Sequence, residues 1–159
     1  MTLLNISVEP MARHPGLVPL VAEWFVCEWP GWYGPGVPGD VGRDLAAFAA
    51  SEDCLPVGML AFENQVPVGA GALKAASVAS HVHLSPWAAA GYVVPSRRGR
   101  GIGAALLDAM VVKARALGFK HVYCGTSTSA TLLTRAGWLP LEATWVEGKP
   151  LTVFLIATA

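Results

Sequence analysis

The segment from residue 92 to residue 106, YVVPSRRGRGIGAAL, restricts the fold of this chain more than any other feature. Three apolar residues precede a turn of arginines and glycines, here called the Arg/Gly turn (residues 97–103). From Ile102 to Leu117, apolar residues recur at spacings of three and four until Gly118, which predicts a helix that ends there. The segment therefore predicts a strand, a turn and the amino terminus of a helix.

A helix amino terminus of this kind favours the binding of an anion. Its first backbone N–H groups have no partner inside the helix, and the helix dipole places positive charge there. Glycines let a phosphate approach the backbone, and the arginines at positions 97, 98 and 100 add charge. No serine, threonine, aspartate or asparagine caps the helix, so we expect a bound phosphate to take the place of the cap.

Three classes of phosphate site compete for this turn. A P-loop hydrolase requires Gly-Lys-Ser/Thr at the helix start, whereas residues 101–103 read Gly-Ile-Gly. The dinucleotide fingerprint G-x-G-x-x-A fits residues 99–104 formally, but residues 120–123, where an acidic residue is expected, read KHVY. Too few residues follow for the remaining strands of that fold, so we reject both classes.

The third class depends on Arg98, Gly101 and Gly103, which match the pattern Arg/Gln-x-x-Gly-x-Gly/Ala. This pattern resembles the cofactor turn of the GNAT N-acetyltransferases, and the order of elements over nearly the whole chain is similar to theirs. Further matches are Val93 with Pro95, Gly137 with Trp138 and, as in a subgroup of small bacterial members, Glu28 with Trp29 and His83 to Trp87.

The resemblance implies an α/β (α+β) fold in a single N-acetyltransferase domain over residues 1–159. It implies a mixed, mostly antiparallel sheet of about six to seven strands, splayed at the cofactor strand and flanked by about four helices. Because many such proteins pair through their carboxy-terminal strands, it also suggests a homodimer.

The same resemblance implies acetyl-coenzyme A as cosubstrate, a small-molecule amine as acceptor, and no metal. The backbone of residues 98–103 would hold the pyrophosphate, and residues 92–94 would pair with the pantetheine arm as an added strand does. A backbone N–H within residues 91–93 is the candidate donor to the oxyanion. The implied cofactor-binding residues are Tyr92, Val93, Val94, Arg98, Gly99, Arg100, Gly101, Ile102, Gly103 and Ala104.

Two positions depart from the family pattern. Leu133 stands where many members have a tyrosine that protonates the leaving thiolate, and Thr126 stands where many have an asparagine. Ser129 or water is a candidate replacement, because a thiol with a pKa of ~8.5 leaves readily, but we favour Ser129 as the cap of the next helix. Leu133 keeps a second hypothesis open, an acetyl-coenzyme A sensor without catalysis, and an unrelated anion-binding module is a third.

An acceptor amine with a pKa of ~10.4 must lose a proton before it attacks, so the site needs a base. The candidates are Glu28, Asp40, His81 and His83. Glu28 ends the first predicted helix, which borders the acceptor site in the family, and the two histidines alternate on a strand-like stretch. We select Glu28, His83 and Ser129 as catalytic candidates, with a solvated helix end and exposed loop histidines as the alternatives.

Aromatic residues near the end of the first predicted helix suit a cationic acceptor. Trp29, Trp32 and Tyr33 are the candidate substrate-binding residues, and the last two lie in a glycine-rich loop. Trp24 lies on the apolar stripe of the helix, so we expect it in the core. Ordinary packing is the alternative for all four.

Charge is balanced overall but divided unevenly along the chain. Residues 1–63 carry two basic and eight acidic residues, a net charge of −6, whereas residues 64–159 carry nine basic and three acidic residues, or +6. The neutral total argues against a general nucleic-acid binder, and 53% hydrophobic with 14% charged residues excludes disorder. The division suggests a polyanionic cofactor on the basic half and a cationic acceptor on the acidic half.

Residues 75–96 contain no lysine, arginine, aspartate or glutamate, but their two histidines and two prolines argue against a membrane span there. Residues 1–10 lack the features of a secretory signal, and the three cysteines form no Cys-x-x-Cys pair. We therefore predict a cytoplasmic protein with reduced thiols.

Periodicity and turn residues predict the remaining elements. The predicted elements are helices at 17–29 and 44–51 with a loop at 30–42 between them, strands at 57–63 and 66–74 joined at Asn64 and Gln65, a loop at 75–86, a strand at 87–94 and final strands at 142–146 and 151–156.

Overall fold

A mixed sheet in the order β1-β2-β3-β4-β5-β7-β6 lies at the centre of the protein, in a computed structural model that describes residues 5–159. The first residues of the segment tested for a secretory signal, 1–4, lie outside the described residues. The strands are β1 (Ile6–Pro10), β2 (Val57–Glu63), β3 (Val66–Lys74), β4 (Trp87–Val93), β5 (His121–Thr126), β6 (Leu139–Val146) and β7 (Lys149–Ala157). Neighbouring strands are antiparallel except for the parallel β4–β5 pair. This arrangement confirms the predicted mixed, mostly antiparallel sheet.

Five α-helices accompany the sheet in the described part of the chain, one more than predicted. They are α1 (Val18–Glu28), α2 (Pro30–Tyr33), α3 (Val41–Phe48), α4 (Ile102–Ala116) and α5 (Ala130–Arg135). α2 is a single turn inside the segment predicted as a loop. α3 begins three residues before its predicted start because the Asp40 carboxylate accepts a hydrogen bond from the Arg43 backbone N–H at 3.0 Å and caps the helix.

Helices cover both faces of the sheet. Along β2, Met59 and Ala61 pack on the side of α4, whereas Leu60 and Phe62 pack on the side of α1 and α3. This alternation follows from the two-residue period of a strand, which here is buried on both faces. α4 approaches β3 closely at Gly71, where an added Cβ would lie 2.3 Å from the Met110 Cε.

Tight turns close the two hairpins that the sequence predicts. Asn64 and Gln65 have φ values of +51° and +71° between β2 and β3, and Glu147 and Gly148 have +51° and +77° between β6 and β7. Two consecutive residues with positive φ are typical of the turn that matches the right-handed twist of paired strands. The boundaries of β2 and β3 are as predicted, whereas β6 and β7 are longer than predicted, and the sequence did not predict β1.

β4 and β5 diverge and open the sheet. Their strand pairing is confined to Trp87 and Tyr123, near the start of both strands. Further along β4, Ala90 has a φ of +54°, and the register with β3 shifts between Ala70 and Ala72. This β-bulge bends β4 away from regular pairing and leaves a cleft between the carboxyl ends of β4 and β5.

Candidate active site

The cleft between β4 and β5 is a cavity of about 660 Å³, and the Arg/Gly turn forms one end of it. Many of the predicted site residues line it: Glu28, Trp29, Tyr92, Val93, Arg98, Gly99, Gly101, Ile102, Gly103 and Ala104. Thr126, Ser129 and Leu133 line it from the opposite side. Val94, Arg100, His83, Trp32 and Tyr33 are not among its lining residues.

The Arg/Gly turn presents free backbone donors to the cleft. Gly99 and Gly101 have φ values of +78° and +86°, which side-chain-bearing residues adopt only with strain. Helix α4 has no side-chain cap, and its first internal hydrogen bond runs from Ala105 N to Gly101 O at 3.0 Å. The N–H groups of residues 102–104 therefore have no helical partner, and the turn fits a pyrophosphate group.

The arginines of the turn are held by carboxylates. Arg97 Nη1 donates to Glu63 Oε2 at 2.7 Å, and Arg100 Nη1 donates to Glu63 Oε1 at 2.9 Å. Burial would raise the pKa of the Glu63 carboxyl, but the hydrogen bonds and charges of the two arginines outweigh it and lower this pKa from its ordinary value. The side chains of Arg97 and Arg100 are thus bound to Glu63 rather than free to add charge to the cleft.

Arg98 connects the turn to the end of α1. Its Nε donates to the Val93 carbonyl at 2.9 Å, its guanidinium carbon lies 5.7 Å from the centre of the Tyr92 ring, and its Nη2 lies 3.5 Å from Glu28 Oε2. Burial and, to a smaller extent, the charge of Glu28 raise the pKa of Tyr92. Arg98 therefore braces β4 against the part of the cleft where Glu28 lies.

Glu28 and Trp29 line the cleft from the junction of α1 and α2, and this pair is here called the mouth. Glu28 is exposed and Trp29 is half-buried, with its ring packed on Phe25 at 5.0 Å. Among the described residues that line the cleft, Glu28 carries the one carboxylate. The mouth can therefore bind a cation or accept a proton.

Ser129 occupies the amino-cap position of α5, as the sequence favoured, but its hydroxyl makes no capping hydrogen bond. The Thr126 hydroxyl accepts hydrogen bonds from Ser129 N at 2.8 Å and Thr128 N at 3.1 Å, whereas no side chain caps α5. Ser129 instead lines the cleft beside Leu133, which is buried in the core. Cys124 lines the same wall, and burial raises the pKa of its thiol to about 11, so the thiol is protonated at neutral pH.

The other acceptor candidates make contacts of their own. Tyr33 donates from its hydroxyl to Asp44 at 2.6 Å and stacks on Phe25, and burial, followed by this hydrogen bond, raises its pKa. Trp32 is 44% exposed. Asp40, a candidate base, is engaged as the cap of α3.

The two histidines lie in a separate cluster. His81 ends a 3-10 helix (Ala79–His81), which corrects the strand-like geometry expected of this stretch. It is buried between Ser80 and Glu142 of β6, and its ring lies 5.8 Å from that of His83. Neither Glu142 nor Glu63 belongs to a motif, so neither was predicted as a functional residue; the one signal for Glu63 is a carboxylate at the end of an otherwise apolar strand.

A model of the Acetyltransferase (GNAT) family matches residues 18–136. The chain belongs to this family. The resemblance based on Arg98, Gly101 and Gly103 is thereby confirmed, and so is the predicted fold class. No curated protein matches the sequence.

Solved structures of GNAT proteins share the fold across their whole length. An aminoglycoside 6'-N-acetyltransferase complexed with coenzyme A superposes with a TM-score of 0.76 at 14% identity, over 98% of this chain and 97% of that one. yncA of Salmonella typhimurium, with its cofactor acetyl-CoA, superposes with a TM-score of 0.70 at 16% identity, over 99% of this chain and 95% of that one. A GNAT protein from Desulfovibrio desulfuricans superposes with a TM-score of 0.72 at 18% identity, over 98% of this chain and 100% of that one.

Residues 5–159 contain no group of three or more histidine, cysteine, aspartate or glutamate side chains placed to hold a metal ion. No helix among them has both the length and the apolar character needed to cross a membrane.

Proposed function

We propose that this protein is an acetyl-coenzyme A-dependent N-acetyltransferase that acts on a small, cationic amine. The observation that carries the proposal is the cleft itself, in which an uncapped helix amino terminus and a splayed strand meet beside one carboxylate. Family membership and the cofactors in the related structures support acetyl-coenzyme A as the donor.

The donor half of the site consists of the Arg/Gly turn and β4. The N–H groups of residues 99–104 would hold the pyrophosphate, as a phosphate is held at other helix amino termini. The edge of β4 that faces β3 is already paired, at Tyr92 with Ala70 and at Val93 with Gly69, and Val94 N donates to Val68 O at 2.8 Å. The edge that faces the cleft is the one that would pair with the pantetheine arm.

The acceptor half is the mouth. A protonated alkylamine is attracted by the Glu28 carboxylate and by the face of Trp29. The amine must then lose a proton, which Glu28 would accept directly or through water. Glu28 is therefore our candidate base, in preference to His83, which does not line the cleft.

The wall formed by β5 and α5 serves the leaving group. Bound acetyl-coenzyme A supplies the acetyl group as a thioester, and its sulfur leaves as a thiol. Leu133 has no proton to donate, but the Ser129 hydroxyl lines the cleft and is not used as a helix cap. We propose Ser129, or a water molecule that it binds, as the proton donor, and a backbone N–H within residues 91–93 as the donor to the carbonyl oxygen.

The test is to mix the purified protein with acetyl-coenzyme A and a panel of amines that includes diamines, polyamines and aminoglycosides. Thermal shift reports binding of the donor, and release of free thiol reports transfer. We expect both signals, with the highest rates on acceptors of net positive charge. A shift without thiol release on any amine would favour the sensor hypothesis, and no shift would overturn the proposal.

Cytoplasmic location and pairing as a homodimer remain predictions. β6 lies at the end of the sheet and exposes Leu139, Leu141 and Trp145. A strand edge with exposed apolar residues can pair with a second copy of itself, which supports the dimer. Sedimentation velocity on the wild type and on a Trp145→Glu variant would test it; a monomeric wild type would contradict it.

A further inference from the structure

Glu63 is the carboxylate that orders the Arg/Gly turn. It is the last residue of β2, where its backbone is paired with Ile6 of β1 and Val66 of β3. Its side chain is only 2% exposed, and each of its two oxygens accepts a hydrogen bond from a different arginine. A carboxylate fixed to the sheet in this way connects the sheet to the Arg/Gly turn through two arginines.

The two arginines hold the turn at its start and at its middle. Arg97 ends a 3-10 turn (Pro95–Arg97), and Arg100 lies between the two glycines with positive φ, Gly99 and Gly101. An added Cβ at Gly99 or Gly101 would have no heavy atom within 4 Å, so neighbouring side chains do not restrain these glycines. Glycines of this kind are conformationally permissive, and their geometry must be imposed from outside.

The arginines have two conceivable roles, which require different geometry. They could leave Glu63 and bind the phosphates of a ligand directly, or they could stay on Glu63 and hold the backbone in place. Removing both partners from a buried carboxylate leaves an uncompensated charge, which is strongly unfavourable. Retention of the Glu63 contacts leaves the phosphates to the N–H groups of residues 102–104, which have no partner inside the helix.

We infer that Glu63 is a positioning residue for donor binding: it clamps Arg97 and Arg100 so that the backbone N–H groups of the turn face the phosphates. The side chains of these two arginines then contribute order rather than direct charge. This inference rests on the proposed function, because it concerns how that site binds the pyrophosphate of acetyl-coenzyme A.

Isothermal titration calorimetry with acetyl-coenzyme A on the Glu63→Gln variant separates the two roles. If Glu63 positions the turn, we expect about a 10-fold increase in Kd, because a neutral amide holds two guanidinium groups less well. If the arginines bind phosphate directly, freeing them from Glu63 should leave Kd unchanged or decrease it. Either of those results would overturn the inference.

A double variant, Glu63→Gln with Arg100→Met, tests whether the Arg100 side chain contacts the ligand directly. Arg100 is 43% exposed, so its truncation is compatible with folding. We expect less than about a 2-fold further increase in Kd, because residues that act as a unit are not additive. A further large increase would show that Arg100 contacts the ligand itself, and would overturn the positioning role.

The matched control is Glu52→Gln. Glu52 accepts two hydrogen bonds from Arg13, at 2.8 and 3.0 Å, but does not line the cleft, so its removal should leave Kd unchanged. All titrations are made well below the melting temperature of each variant. Absence of binding to the wild type would overturn the proposed function and this inference together, whereas wild-type binding that Glu63→Gln does not weaken would overturn this inference alone.

A readout without ligand tests the order of the turn directly. Backbone ¹⁵N order parameters of residues 98–103 should fall in Glu63→Gln and not in Glu52→Gln, because only the first variant releases the turn. Unchanged order parameters in Glu63→Gln would contradict the clamp even if its affinity were lower.

Discussion

The Arg/Gly turn and the mouth lie along the same cleft but are built in different ways. The turn consists of backbone N–H groups, two glycines with positive φ and a buried carboxylate, Glu63, that holds two arginines. The mouth consists of side chains, an exposed glutamate and a half-buried tryptophan. A site made of backbone tolerates few sequences, whereas a site made of side chains can be changed one residue at a time.

This difference explains which parts of the site the sequence predicts. The spacing of Arg98, Gly101 and Gly103 follows from backbone geometry, and the family that this spacing indicated is confirmed. The roles of Trp32 and Tyr33 depend on where a short helix places their side chains, and no local pattern encodes that. Periodicity predicts β2, β3 and α4 well because their burial is regular, and it fails for β1, which has only five residues.

Long-range contacts account for the remaining differences. Glu63 is 34 residues from Arg97 along the chain, so no window of sequence reveals that they meet. Their contact also changes the meaning of the charge division between residues 1–63 and 64–159. Part of that division is neutralised inside the fold, where Glu63 from the acidic half binds Arg97 and Arg100 from the basic half.

The largest effect is expected from Gly101→Glu in the turn. The new side chain adds positive-φ strain and places a negative charge at the helix amino terminus, where it competes with phosphate. Loss of two charged hydrogen bonds at about 1.5–3 kcal/mol each corresponds to at least ~100-fold weaker binding of acetyl-coenzyme A. Gly118→Glu is the matched control, since Gly118 has a φ of +93° and open space around it but lies past the carboxyl end of α4. Equal losses in both variants would contradict the assignment of the turn.

Glu28→Gln should separate the mouth from the turn. Without a base at the mouth, we expect kcat/KM for the amine to fall about 100-fold, while the Kd of acetyl-coenzyme A changes little. Glu23→Gln is the control, because Glu23 is an exposed carboxylate of the same helix that does not line the cleft. Steady-state kinetics and calorimetry on both variants measure the two quantities. An unchanged kcat/KM in Glu28→Gln would remove Glu28 as the base.

A smaller effect is expected from the aromatic residues. Trp29 lines the cleft, whereas Trp32 is exposed outside it. A cation–π contact of about 1 kcal/mol predicts that Trp29→Ala raises the KM of a cationic acceptor roughly 5-fold, with little effect on the donor. The sequence predicts the same substrate-binding role for Trp32, so Trp32→Ala is the variant to compare with Trp29→Ala. A larger rise in Trp32→Ala than in Trp29→Ala would show that the acceptor extends over α2.

The smallest effect concerns the stability of the turn in acid. Because its two arginines hold the folded-state pKa of Glu63 below its ordinary value of 4.5, this carboxylate stabilises the fold at neutral pH, and the contribution is lost as the pH falls through the folded-state pKa. Wild type should therefore be more stable than Glu63→Gln at pH 7, and the gap should narrow below about pH 4.5. Urea unfolding followed by tryptophan fluorescence at several pH values measures it. A difference in the free energy of unfolding that stays constant down to pH 3 would show that the charge of Glu63 does not stabilise the fold.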